Sequence, residues 1–351
     1  MDIYLRAYLD KNFGDDMMIR LFCNELCEHN IHLYCKDERF FSGFDDIKNL
    51  EMTSTPPDKV NCGGVKYKLS VNIGGSIFKI SSMRSKLSRF KTIMNLRKMK
   101  KNGCKSVILG SNVGPFHGVF AKTLAKMHME TGEFITVRDK EAKAFCDTHL
   151  KKTASYLYPD VLFALKDDML KPSGERSGLG ISVYNGHAEQ FDAYCAYMAA
   201  IADEYITRTG EAVSLISFDT GKEDDVRAAR TIYSLMKSKN VRHISHEGDG
   251  NNIIEAIGSV RHMIAARFHA CVMCMKMQRP FIPLCYSNKT ENLLNDFGYE
   301  GIRLYYDGGN GLSAGEIAHS LINSDRIYST FDESLYRDAH SHFDRVKELL
   351  L

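Results

Sequence analysis

The segment Met263-Ile264-Ala265-Ala266-Arg267-Phe268-His269-Ala270 carries an apolar run into an arginine and a histidine. Downstream, Pro280-Phe281-Ile282-Pro283 leads in the same way into Tyr286-Ser287-Asn288-Lys289. Each is a strand-length apolar stretch that ends in chemically competent side chains and is followed by a helical pattern. In open α/β folds the carboxyl ends of parallel strands are where ligands bind, so two cations and an imidazole converge on one such edge. Arg267 presents a planar fork of donors to a phosphate or carboxylate, and charge-assisted bonds of that kind contribute about 1.5–3 kcal/mol each. Lys289 adds a point charge. His269 suits proton transfer because a reference imidazole titrates near pH ~6.5, although a lone histidine there would read as a helix-entry residue satisfied by backbone. A helix starting just after Ala266, and another near Asn288, would add about 0.3–1 kcal/mol each for an anion through their N-terminal dipoles. The chemistry this favours is the binding of a small, highly anionic substrate.

Glycine-bearing loops follow several strands in the first half. Asn12-Phe13-Gly14-Asp15-Asp16 closes the first, Asn72-Ile73-Gly74-Gly75-Ser76 a later one, and Gly110-Ser111-Asn112-Val113-Gly114-Pro115 the next, with Thr136-Val137-Arg138-Asp139 and Tyr158-Pro159-Asp160 behind them. Such glycines let backbone pass close to a ligand and are equally a turn solution. None matches Gly-x-Gly-x-x-Gly or a Walker loop, which argues against NAD and ATP. Asp15 reads either as a general base or as the cap of a helix starting at Asp16. Arg138 reads as facing a ligand and Asp139 as a helix cap. His243, His246 and Glu247 have no ligand cluster around them and read as a solvated loop, so no metal site is expected.

In this order, with the Arg-Phe-His and Tyr-Ser-Asn-Lys elements behind them, these segments resemble the polysaccharide pyruvyl transferase family over nearly the whole chain. The resemblance implies two Rossmann-like domains facing across a cleft, as in the GT-B architecture. It also implies transfer of a pyruvyl group from phosphoenolpyruvate to a sugar as a ketal, with no further cofactor. Arg267, His269 and Asp15 become the catalytic candidates. Lys289, Asn12, Gly14, Gly74, Gly75, Gly114, Arg138, Tyr286, Asn288 and Phe268 become the substrate-binding ones, with the loop of Asn12 and Gly14 on the acceptor side. The expected partners are phosphoenolpyruvate and a saccharide acceptor, free or lipid-linked. Rival readings are a nucleotide-sugar glycosyltransferase and a non-catalytic glycan-binding protein of the same fold. Relatives place an arginine where this chain has Val183-Tyr184-Asn185-Gly186-His187, a leucine at Phe268 and a third glycine at Ser76. Either another cation, such as Lys222 or Arg138, replaces that arginine's contact, or the donor differs.

The elements that position these residues alternate along the chain as short apolar segments and helical stretches, the pattern of parallel sheets with crossover helices. Strands are expected at Ile3–Tyr8, Tyr67–Val71, Ser106–Leu109 and Phe134–Val137, then at Leu179–Val183, Ala212–Phe218, Val241–Ser245, His262–Ala265 and Phe281–Leu284. Helices are expected over Ala188–Arg208 and from Asp224-Asp225. With 351 residues the chain suits two domains. These are 1–165 and 179–332, which the resemblance implies are the acceptor and the donor side. A Pro- and Gly-bearing linker at 166–178 joins them, and 333–351 forms a terminal helix.

A net charge of +2 gives no support to nucleic-acid binding. No apolar run approaches the ~20 residues of a spanning helix, and the start lacks a signal peptide's pattern, so a cytoplasmic address is expected. The ten cysteines, among them Cys23, Cys27 and the Cys271–Cys274 pair, read as reduced core thiols. From Phe78 to Lys105 there are ten lysines and arginines and no acid, with Phe90, Ile93, Met94 and Arg97 at helical spacing. The ordinary reading is a core-facing helix with a solvated basic face; the functional one is peripheral contact with an anionic membrane. The sequence says nothing of oligomeric state.

Overall fold

Seven parallel strands form the first sheet; the five inner ones bury their apolar runs as such sheets require, and the two edge strands are half-exposed. The seven are β1 (Asp2–Arg6), β2 (Asn30–Tyr34), β3 (Leu50–Thr53), β4 (Leu69–Ile73), β5 (Lys105–Ser111), β6 (Phe134–Val137) and β7 (Ala154–Leu157), in the order β3-β2-β1-β4-β5-β6-β7. The second sheet comprises β8 (Leu179–Ser182), β9 (Val213–Ser217), β10 (Val241–Ser245), β11 (His262–Ala265), β12 (Phe281–Cys285) and β13 (Leu304–Tyr305), in the order β10-β9-β8-β11-β12-β13, again parallel. This computed structural model describes residues 1–351 except 36, 38–42, 55–65, 81, 117, 171–174, 187–188, 307–310, 325–331 and 333.

Helices α1 (Phe13–Glu25), α2 (Met83–Lys101), α3 (Val119–Met129) and α4 (Lys140–His149) lie in the first half. They are followed by α5 (Phe191–Thr209), α6 (Asp225–Leu235), α7 (Asn251–Ser259), α8 (Phe268–Lys276), α9 (Asn288–Asp296), α10 (Ala314–Ile322) and α11 (Ser334–Leu350). Local chemistry sets their ends. Ser82 and Ser85 close a capping box on α2, Ser313 and Glu316 close one on α10, and Gly210 ends α5 in a left-handed conformation. Asp139 caps α4, as its position after a strand suggests, accepting from the Ala142 N–H at 2.7 Å.

Two units result. One contains Met1–Leu9, Met18–Ala164 and Ser334–Leu351; the other contains Asp10–Met17 and Leu165–Glu333. The terminal helix α11 therefore belongs with the first sheet, where Phe343 meets Phe22 and Lys347 pairs with Glu25 at 2.8 Å. Conversely, the loop after β1 joins the second unit: Phe13 is fully buried against Phe218, and Asn12 bridges to Asp219. Of the expected linker, Asp167–Leu170 forms a 3-10 turn in the second unit, with Asp167 on buried Lys276 at 2.9 Å, while 171–174 lie outside the described residues. The strands β2, β3, β7 and β13 have no counterpart among the sequence expectations; β2 and β7 are short and interrupt their apolar residues with histidine or serine. Among the described residues no helix is long and apolar enough to cross a membrane.

Candidate functional site

The second sheet reverses its strand order between β8 and β11, so the connections leaving these neighbours diverge and open its carboxyl edge. Arg267 stands at that point as the N-cap residue of α8, in extended conformation, its N–H donating to the Ser182 hydroxyl of β8 at 3.3 Å. Its side chain is buried. Nε donates to Asp225 at 2.9 Å, Nη2 donates to the other Asp225 oxygen, and Nη1 donates to Glu223. Tyr184 covers the guanidinium at 4.6 Å from its ring centroid, and Tyr286 stacks on Tyr184 at 3.9 Å.

Asp225 opens α6 and also accepts the backbone N–H groups of Asp219 at 3.0 Å and Asn185 at 3.2 Å. Burial pushes its carboxyl up to about 6, against the pull of Arg267. Burial likewise raises Asp219, opposed by the hydrogen bond from Asn12. Arg267 itself is disfavoured as a cation by burial, yet Asp225 and Glu223 hold it protonated more firmly than a free arginine. From Asp219 the chain of contacts reaches the loop after β1. Asn12 donates to Asp219 at 3.1 Å while its Oδ1 caps α1 by accepting from the Gly14 N–H at 3.1 Å. The circuit closes through His269, two residues after Arg267. A Cβ built on Gly14 would lie closer than 3.0 Å to His269 Nδ1, so the imidazole fills the space that glycine leaves. Phe268 and His269 meet edge to face with centroids 5.1 Å apart, and Lys289 Nζ lies 6.0 Å from the Phe268 ring centroid.

The sequence matches the polysaccharide pyruvyl transferase family over residues 12–288, most of the chain. The chain belongs to the polysaccharide pyruvyl transferase family. Its members are transferases. No curated protein matches the sequence at a significant level. Solved structures give the fold. A UDP-GlcNAc 2-epimerase from Neisseria meningitidis bound to UDP-GlcNAc has a TM-score of 0.62 at 9% identity, covering 100% of this chain and 99% of that one. The Anabaena protein Alr3699/HepE, in complex with UDP-glucose, has 0.62 at 10%, covering 100% and 98%. The UDP-GlcNAc 2-epimerase from Methanocaldococcus jannaschii has 0.61 at 9%, covering 99% and 98%. At these identities the likeness establishes the GT-B fold and nothing finer.

In this pyruvyl transferase family member, Asn12, Gly14, Arg267, Phe268, His269, Tyr286 and Lys289 thus gather in the second unit. Asn288 is the exposed first residue of α9, and Asp15 is half-buried in the first turn of α1. Asp15 is not the helix cap, since α1 begins at Phe13 and Asn12 caps it. The neighbouring Asp16 is buried and pairs with His246 at 2.8 Å, so His246 is an internal partner rather than part of a solvated loop. Gly74, Gly75, Gly114 and Arg138 belong to the first unit. There Arg138 is buried, donating to Asp160 at 2.6 Å and through Nε to Asn112 at 2.8 Å, and it fills the space a side chain at Gly75 would need. Arg138 is therefore an internal brace and not an open anion contact. Gly114 precedes Pro115 through a cis peptide.

Tyr184, where the resemblance implies an arginine, lies on Arg267, and Lys222 is exposed. His187 lies outside the described residues. Among the described residues no group of three or more His, Cys, Asp or Glu is arranged to hold a metal ion. The described cysteines are free thiols, and all but Cys27 are buried; Cys27 lies past the end of α1 and is exposed, so it is no core residue. Sequence reading missed the carboxylates around Arg267. The acids Glu223, Asp224 and Asp225 between a strand and a helix were the available signal, read only as a helix start.

Proposed function

We propose that the protein transfers a pyruvyl group from phosphoenolpyruvate to two hydroxyls of a sugar in a surface polysaccharide or its precursor, closing a ketal and releasing phosphate. The observation that carries this reading is the connected assembly of Arg267, Asp225, Glu223, Asn12, Gly14 and His269 at the switch point of a family member's sheet. The two sides of Arg267 differ. Nε and Nη2 are fixed on Asp225, whose side chain is 0% exposed, whereas Nη1 meets Glu223, 52% exposed. The exposed carboxylate is the exchangeable one, because its attraction is screened by water. A carboxylate or phosphate oxygen of the donor takes the place of Glu223 at Nη1, with Lys289 adding charge. The N-terminus of α8 contributes about 0.3–1 kcal/mol more.

With the donor so held, His269 gives a proton to the methylene carbon. A sugar hydroxyl attacks the carbon bearing the carboxylate, phosphate departs with the electrons of its C–O bond, and the second hydroxyl closes the ring. Asp15 takes the proton of one attacking hydroxyl and passes it to the departing phosphate, and the proton of the other hydroxyl restores His269. No cofactor beyond the donor is assigned.

Calorimetric titration with phosphoenolpyruvate, alongside a panel of nucleotide sugars, tests the donor. Phosphate release that depends on both phosphoenolpyruvate and a saccharide supports pyruvyl transfer. Heat from a nucleotide sugar alone would instead make the protein a glycosyltransferase.

A further inference from the structure

The helix α2 buries Thr92, Ile93, Leu96 and Met99 against the first unit, which is the ordinary arrangement for a surface helix. Its outer face is not ordinary. Met83 (69% exposed), Leu87 (61%), Phe90 (48%) and Met94 (48%) fall at i, i+4, i+7 and i+11, a single line on a helix of 3.6 residues per turn, opposite the buried residues. The spacing that joins Phe90, Ile93 and Met94 in the sequence therefore splits in the structure. Ile93 enters the core, and the other two point outward.

At the start of α3, Val119 and Phe120 are also exposed, and Lys86 Nζ lies 5.9 Å from the Phe120 ring centroid, joining this pair to the stripe. Cations flank the stripe on both sides. Lys86 and Arg97 lie along one edge, Arg84, Lys91 and Lys98 along the other, and Lys101 continues its line; Arg84, Lys91, Arg97, Lys98 and Lys101 are exposed. No acid interrupts them from Phe78 to Lys105.

We infer that this face of α2 and the start of α3 form a docking surface for an anionic lipid bilayer, with the apolar line entering between headgroups and the flanking cations meeting lipid phosphates. Apolar residues bordered on both sides by lysine and arginine are the composition that an interfacial helix needs. Charge also selects among occupants. A second copy of the chain, apposed stripe to stripe, would bring these cations against their equals, whereas an anionic surface neutralises all of them. The inference does not depend on the donor, and it accounts for how a soluble active site would reach a lipid-linked saccharide.

The test uses the full chain, sedimented with vesicles of phosphatidylcholine alone and of phosphatidylcholine mixed with phosphatidylglycerol, at low and raised salt. Expected is binding to the anionic vesicles that weakens with salt. The double variant Leu87→Gln/Phe90→Gln and the double variant Lys91→Glu/Lys98→Glu, all at exposed positions, should each reduce the partition coefficient roughly tenfold or more. Circular dichroism confirms that they fold. Equal, negligible binding of the wild type to both vesicle types overturns the inference, as does binding that neither variant changes. Concentration-dependent self-association abolished by Leu87→Gln/Phe90→Gln, seen by sedimentation velocity in the absence of lipid, would assign the stripe to a second copy instead.

Discussion

Gly14 and His269, 255 positions apart in the chain, share one space: the imidazole of His269 occupies the volume into which any side chain at position 14 would project. The loop after β1 and the start of α8 are thereby fitted to each other with backbone on one side and a ring on the other. Gly14→Ala should push the ring out of place. If His269 is the proton donor, turnover falls by about 10²–10⁴-fold, as in His269→Ala. In the His269→Ala background the space is empty, so adding Gly14→Ala should cost little more. Steady-state kinetics across this double-mutant cycle checks it, and additive losses would separate the two residues.

Glu223 competes with the donor for Arg267 in the proposed reaction. Glu223→Gln should therefore raise phosphoenolpyruvate affinity about two- to fivefold, the range expected for removing one exposed ion pair. Arg267→Ala should lose about 2–4 kcal/mol of transition-state stabilisation. It should also destabilise the fold by about 3–5 kcal/mol, because Asp225 is left buried without its cation. Measuring kcat/KM beside chemical denaturation separates the effects. Normal turnover in folded Arg267→Ala would remove the assignment, and unchanged affinity in Glu223→Gln would make Glu223 a bystander.

Acid stability should depend on His342, which anchors α11 in the first unit. Its Nε2–H donates to the Pro159 carbonyl at 2.7 Å, so Nδ1 accepts from the Thr136 hydroxyl at 2.6 Å, and that hydroxyl oxygen accepts the Gly110 N–H at 2.9 Å. Burial pushes the imidazole down to about 4. The unfolded chain, titrating near pH ~6.5, takes up a proton that the folded chain refuses. Stability is thus complete above that pH and declines by about 3 kcal/mol as pH falls towards 4. His262, also lowered to about 4 by burial and Arg261, adds to the same window. Denaturant unfolding between pH 7 and 4 should give a shallower decline for His342→Gln than for the wild type; parallel curves would contradict this.

Turnover should persist in the presence of a chelator. The proposed donor contacts are a guanidinium, an ammonium and a helix end, which neutralise anionic charge without a divalent ion. Loss of activity with EDTA and its return on adding magnesium would overturn this expectation.

The regular alternation of apolar runs and helical stretches was enough to mark Phe134–Val137, Val241–Ser245 and His262–Ala265 with the bounds they have in the structure. Phe134–Val137 and His262–Ala265 read this way because every residue of the strand is buried, whereas Val241–Ser245 is an edge strand with Arg242 and His243 exposed, marked by its β-branched residues and flanking breaks. Residues after such strands read as site residues because the fold delivers strand ends to one edge. Pairing across long separations is not carried by local pattern. Nothing adjacent in sequence indicates that Arg267 meets Asp225, that Arg138 is spent on Asp160, or that Gly14 makes room for His269. Whether a cation faces a ligand or a carboxylate depends on which loops the packed sheet brings beside it. Likewise, helical spacing identified α2 as amphipathic but not which apolar residues faced outward, since Ile93 and Phe90 differ only in what the tertiary structure places against them. Local pattern carries most of the elements, though not β2, β3, β7 and β13, and the types of side chain at their ends; which charges are already neutralised is settled by packing, because burial and partner geometry are properties of the folded chain alone.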